Sequence, residues 1–86
     1  FNEGIEKMAK PKIIIDVRNM PTISERPKKV SKEVDKIEQG EYAEIIADDE
    51  RMLKLAPQMI KGIGKADVIK SWKEDDGFYH TLIRKK

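Results

Sequence analysis

Apolar positions fall into six clusters along the chain, and the spacing within each cluster predicts its element. Ile13-Ile14-Ile15-Asp16-Val17 is a β-branched run between Pro11 and Asn19, which predicts a strand partly buried on both faces. Asn19 to Pro27 is rich in proline and short polar residues and reads as a loop entering a helix. Ser24 is the expected N-cap, because that register puts Pro27 in the first turn, where a missing N–H costs nothing. Thr22 and Glu25 also spell a capping box, in a register that sets Pro27 one residue too deep. Pro27, Val30, Val34 and Ile37 then recur at spacings of three and four, with Lys28, Lys32 and Lys36 on a separate face, so an amphipathic helix is expected to run on to Gly40.

Tyr42 to Ala47 is a short apolar run broken by Glu44, too short for a helix and read as a strand. Asp48 or Asp49 is placed to cap a second helix, whose buried side is Met52, Leu53, Leu55, Met59, Ile60 and Ile63; Pro57 predicts a kink, and Gly62 and Gly64 an end. Val68 to Trp72 and Phe78 to Ile83 are two strands joined by Lys73-Glu74-Asp75-Asp76-Gly77, a hairpin signal. A five-residue turn places Trp72 opposite Phe78 and Lys70 opposite His80, with Tyr79, Thr81 and Ile83 on one face and Phe78, His80 and Leu82 on the other. The predicted fold class is therefore an α/β (α+β) two-layer sandwich of order β-α-β-α-β-β, with a four-stranded mixed sheet and both helices on one face.

Composition narrows the chemistry. At 86 residues the chain holds one small domain, expected over residues 13–86 behind a flexible N-terminal segment at residues 1–12. Phe1 to Lys7 reads as an appended remnant or the tail of a preceding region, with Met8 a native start. Eighteen Lys plus Arg against 16 Asp plus Glu leave a net charge of only +2, which argues against a basic nucleic-acid arm and against a disordered polyelectrolyte. The chain has no cysteine and one histidine, so disulfides, thiolate metal sites and thiol nucleophiles are excluded within it, and neither metal nor cofactor is expected. With no long apolar run and no signal peptide, a soluble cytoplasmic protein, monomeric or a weak dimer, is the expectation.

From Gly40 onward the residues become specific: Gly40-Glu41, Ile45-Ile46-Ala47-Asp48-Asp49, Pro57, Gly64-Lys65, Glu74-Asp75-Asp76-Gly77-Phe78-Tyr79 and Ile83-Arg84-Lys85. This pattern resembles the TusA/SirA-type sulfur-carrier family, which the resemblance implies has the same β-α-β-α-β-β sandwich. That family's signature is Cys-Pro-X-Pro at the start of the first helix, where the cysteine carries sulfur as a persulfide. Here its position falls on Thr22 when aligned from the strand side, or on Ile23 from the Gly40 side, and neither side chain forms a persulfide. Gly64-Lys65 also replaces the family's Gly-His. The chain looks like a cysteine-free sister group with the same fold. The resemblance then implies a non-catalytic protein-interaction or regulatory module, partnered by sulfur-transfer or redox proteins.

Two surfaces are candidates for that role. One is the loop and helix start formed by Met20, Thr22, Ser24, Arg26, Lys28 and Lys29, read as an electropositive rim where the family docks partners, against the plainer reading of a solvated helix face. The other is the sheet face without a helical layer, carrying Trp72, Phe78 and His80, which serves either packing or, as the rival reading, stacking of nucleic-acid bases beside the Lys-rich helix. Other motifs fail on spacing. Lys61-Gly62-Ile63-Gly64-Lys65-Ala66 lacks the upstream glycine and following hydroxyl of a phosphate loop; a helix-hairpin-helix needs a second helix where a hairpin is predicted. Asp48, Asp49 and Glu50 are capping residues rather than metal ligands, and Ser24, Ser31 and Ser71 have no evident triad.

Overall fold

The structure, a computed structural model, describes residues 10–20, 22 and 24–86. The readings placed on residues 1–9, on Pro21 and on Ile23 lie outside the described residues. Six elements follow in the expected order: β1 (Ile13–Asp16), α1 (Glu25–Val34), β2 (Tyr42–Ala47), α2 (Met52–Ile63), β3 (Ala66–Lys73) and β4 (Tyr79–Lys85). They form a four-stranded sheet in the order β1-β2-β4-β3, with β1 parallel to β2 and the other pairs antiparallel. Among the described residues, no helix is long and apolar enough to cross a membrane.

Alternation along β2 sends Ala43, Ile45 and Ala47 into the core and leaves Tyr42, Glu44 and Ile46 half-buried on the opposite face. Ile45 is paired with Ile15 of β1 and with Thr81 of β4, so one row of inward positions runs across the sheet. Val30 and Val34 of α1 and Met52, Ala56 and Ile60 of α2 pack onto that row, which puts both helices on one face. Alanines at 43, 47, 56 and 66 keep the inward surface shallow, letting helices settle close to the strands. β1 departs from the reading of a strand partly buried on both faces: Ile15 is fully buried, but Ile14 is 51% exposed, because no element among the described residues lies over the second sheet face.

α1 ends at Val34 rather than running on to Gly40. Beyond it Lys36 and Ile37 donate to carbonyls three residues back, Glu33 and Val34, so the chain tightens and leaves the helix axis. Ile37 stays buried, presented by this turn and held by Lys85 Nζ on its carbonyl at 2.7 Å, which is why the apolar spacing outlasts the helix. α2 is continuous through Pro57 and stops at Gly64, whose φ of 74° is the left-handed conformation that closes a helix cheaply only for glycine. The N-cap position of α2 is Arg51 rather than Asp48 or Asp49, its backbone already helical (φ −58°, ψ −24°) and without a side-chain cap bond; Asp49 instead braces the approach, its Oδ1 accepting the Arg51 N–H at 2.9 Å.

The hairpin corrects the expected pairing. Glu74 N–H donates to Phe78 O, and Gly77 (φ 84°) N–H to Glu74 O, so the turn is centred one residue later than a five-residue loop from Lys73 to Gly77 would be. Moving the centre by one slides every partner by two: Trp72 faces His80 instead of Phe78, and Lys70 faces Leu82 instead of His80. A slide of two keeps each side chain on its face, so Tyr79, Thr81 and Ile83 point to the helices as expected. Ile69 is an extra residue in β3, a bulge between the Val68–Ile83 and Lys70–Leu82 pairs.

Candidate functional site

Both helices follow parallel strands, so the C-terminal ends of β1 and β2 and the N-terminal ends of α1 and α2 share one pole of the sandwich. Crevices outside the carboxyl ends of parallel strands are where open α/β sheets bind. Met20, half-buried, packs against the core, and its carbonyl accepts Arg26 Nε at 3.2 Å and Nη2 at 3.0 Å. Arg26 is therefore not part of a solvated rim: it is only 5% exposed, drawn in by that carbonyl and by Asp48 at 3.6 Å from Nη2. Its Nη1 is buried with no hydrogen-bond partner.

The remaining rim residues differ among themselves. Thr22 is exposed, and its carbonyl accepts the Glu25 N–H at 3.1 Å. Ser24 stands at the expected cap position, but its backbone is already helical (φ −65°, ψ −18°) and its hydroxyl makes no cap bond, since a capping side chain needs an extended residue beneath it. Lys28 is exposed, whereas Lys29 turns inward and donates to Asp16 O at 2.6 Å. Positive charge at this pole is mostly answered in place. Arg18 grips both oxygens of Asp16, and Arg51 holds Asp49; these contacts lower each carboxyl to about 2. The expected electropositive rim is thus a ring of three arginine–aspartate pairs, 16–18, 26–48 and 49–51.

Between the helices at this pole lies a cavity of about 260 Å³, lined by Arg26 and Pro27 of α1 and by Met52, Leu55, Gln58 and Met59 of α2. Its wall is apolar except for the guanidinium and one amide, and methionines give it adaptable surface. Sequence reasoning missed it because Leu55 and Met59 read as core positions; both are only partly buried.

The second candidate surface is a connected network. His80 is 6% exposed although it faces away from the helices. The Trp72 ring stacks beside it, centroids 5.4 Å apart and planes 22° from parallel. Nδ1 of His80 lies 2.9 Å from Glu44 of β2, and Nε2 lies 3.0 Å from Asp76 of the β3–β4 loop. Burial favours the neutral ring, but the two carboxylate bonds outweigh it and raise the His80 pKa above the ordinary 6.5. Asp76 is lowered, first by the Phe78 N–H on Oδ1 and then by His80. Arg18 lies over the Phe78 ring, joining this network to the pole. Trp72 also meets the Lys70 ammonium and gives its indole N–H to Glu74 at 2.6 Å.

Of the three sequence-predicted rings, Trp72 and His80 are thus brought into contact, while Phe78 joins them only through its N–H on Asp76, its ring meeting Arg18. Glu44 and Asp76, which organise them, were missed; the available signal was Glu44, the charge interrupting an otherwise apolar strand. Serines show no catalytic pairing: Ser31 Oγ accepts Lys65 Nζ and Ser71 pairs with Thr81, while both His80 nitrogens face carboxylates. Among the described residues, no group of three or more His, Asp or Glu is arranged to hold a metal ion.

No protein-family model and no curated protein matches the chain. Among solved structures, the crystal structure of a SirA-like protein from Desulfitobacterium hafniense superimposes with a TM-score of 0.65 over 84% of this chain and 95% of that one, at 18% sequence identity. At that identity the likeness is one of fold, and the chain has a SirA-like fold without a cysteine.

Proposed function

We propose that this chain is a non-catalytic docking module, a divergent TusA/SirA-like protein related to the cysteine-free sister group, acting in the cytoplasm as a monomer or weak dimer. It binds a partner protein, of sulfur or redox metabolism on the strength of the sequence resemblance, at the pole shared by the two helix N-termini. The observation that carries this reading is the apolar cavity of about 260 Å³ beside Arg26. An apolar cavity of about 150 Å³ holds a benzene ring, so this one has room for an apolar side chain. Arg26, the one charged residue lining it, is already engaged by the Met20 carbonyl and Asp48, which suits a protein surface better than a phosphate, since a phosphate would have to displace those partners first.

A nucleic-acid reading of the open face has less behind it. The Trp72 ring is already engaged with His80 and Lys70, and a net charge of +2 gives weak attraction to phosphates. The test is affinity capture from cells of origin with the intact chain, Leu55→Glu and Trp72→Ala. Docking at the helix pole requires a partner, identified by mass spectrometry, that Leu55→Glu loses and Trp72→Ala keeps. Single-stranded RNA binding abolished by Trp72→Ala and by salt would overturn the reading in favour of the sheet face.

A further inference from the structure

The most heavily engaged side chain on the open face is His80, and its arrangement has two states. An imidazolium offers an N–H to each of two carboxylates, and His80 has one on each side: Glu44 at Nδ1 and Asp76 at Nε2. A neutral imidazole has one N–H, so its other nitrogen turns a lone pair toward a carboxylate oxygen about 3 Å away. One of the two contacts must then open. The carboxylates are not equivalent. The Glu44 side chain is 18% exposed, fixed on the central strand β2; the Asp76 side chain is 45% exposed, at a loop tip where water replaces the lost bond.

We propose that His80 is a proton-operated latch: protonated, it ties the β3–β4 loop to β2 through Asp76, and on losing a proton it keeps Glu44 and releases the loop. Every element around the ring sets the balance. Glu44 from β2 and Asp76 from the loop favour the charged ring. Burial of the ring opposes it. From β3, Lys70 lies over the stacked Trp72, and Glu74 holds the indole N–H. Arg18, after β1, attracts Asp76 and is itself paired with Asp16. Released, the loop retains the Glu74–Phe78 and Gly77–Glu74 backbone bonds and the Asp76 cap on Phe78, so it stays a turn, but it loses its tie through His80 to β2 and is held by the Arg18–Phe78 contact and the Trp72–Glu74 bond. Phe78 carries the Arg18 contact, so the release is felt at the segment leading to Met20 and Arg26. The raised His80 pKa places the change on the neutral-to-alkaline side of an ordinary histidine. The latch stands on its own geometry, independent of docking at the helix pole.

The test is an NMR titration of the ¹⁵N-labelled chain from about pH 5 to about pH 9, following the single histidine ring and the backbone amides together. The latch requires a His80 midpoint above 6.5, with the amides of Asp75 to Phe78 and of Arg18 moving at that same midpoint while those of α2 do not. In Asp76→Asn the His80 midpoint falls and the loop amides lose their titration. A midpoint at or below 6.5, loop amides that ignore it, or unchanged coupling in Asp76→Asn would each overturn the proposal.

Discussion

The Arg18 guanidinium lies over the Phe78 ring, 4.7 Å from its centroid, while its Nε and Nη2 hold the two carboxylate oxygens of Asp16 at 2.9 and 2.7 Å. Asp16 fixes the orientation of the cation, and the ring meets it already positioned, so the end of β1 and the β3–β4 loop are tied by two side chains. Phe78→Ala is expected to cost about 1 kcal/mol, the scale of a partly exposed cation–π contact plus some lost packing. Urea denaturation checks the cost, and amide exchange should rise in the loop before it rises in β2.

Stability is expected to pass through a maximum with pH. His80 titrates at a raised pKa in the fold, so its contribution is fully present below the unfolded value of 6.5 and is lost as pH rises through the folded one. Asp16 and Asp49 are lowered to about 2 from 3.8, so theirs is present above 3.8 and lost as pH falls toward 2. Both carboxylates are solvent-screened, which makes the acid limb shallow. Melting temperature against pH shows both limbs; His80→Gln should flatten the alkaline limb only.

Arg26 and Asp48 form a pair whose halves are unequal, because Arg26 is 6% exposed at its side chain and Asp48 is 44%. Asp48→Asn is expected to cost below about 1 kcal/mol, as for exposed ion pairs. Arg26→Ala leaves the Met20 carbonyl without its two donors and a void in the loop, at about 2 to 4 kcal/mol. Equal losses in chemical denaturation would contradict the burial of the guanidinium.

Gly64→Ala meets no atom within 4 Å of the added methyl, so only the positive φ of 74° opposes it. The expected loss is about 1 to 2 kcal/mol, the left-handed penalty of an L residue. Gly62→Ala, inside α2 with equally open space, should instead gain up to about 1 kcal/mol. A urea series on the two variants separates conformational cost from crowding.

Thr22→Cys places a thiol at one of the two positions onto which the sequence resemblance maps the carrier family's nucleophile. Thr22 is exposed, so iodoacetamide should label the cysteine in the folded protein without lowering its melting temperature. Labelling only after denaturation would mean that this part of the loop is closed.

Elements whose limits are set by alternation and by local turn residues were legible in the sequence; those closed by distant groups were not. β2 matches its predicted bounds, Tyr42 to Ala47, since each side chain declares its face. The end of α1 was hidden because Ile37 keeps the helical spacing while Lys85, from the last strand, holds its carbonyl. Arg26 read as a surface cation because Met20 and Asp48, which bury it, belong to a loop and to the end of another strand. The shared aromatic face was visible from parity, but the Trp72–His80 pairing depended on the turn centre, and Glu44 lies 36 positions before the histidine it holds.

The bulge at Ile69 bears on how the molecule behaves in company. β3 borders the sheet, and a straight border strand offers its unpaired backbone groups as a template for further strands. An extra residue at mid-length breaks that row, and exposed Lys70 and Lys73 after it add charge that a second chain would have to bury. Among the described residues the other border is β1, only four residues long. Neither flank is a long, even, uncharged edge, so the fold carries its own resistance to fibril growth, and substitutions that straighten β3 are the ones expected to make it aggregate.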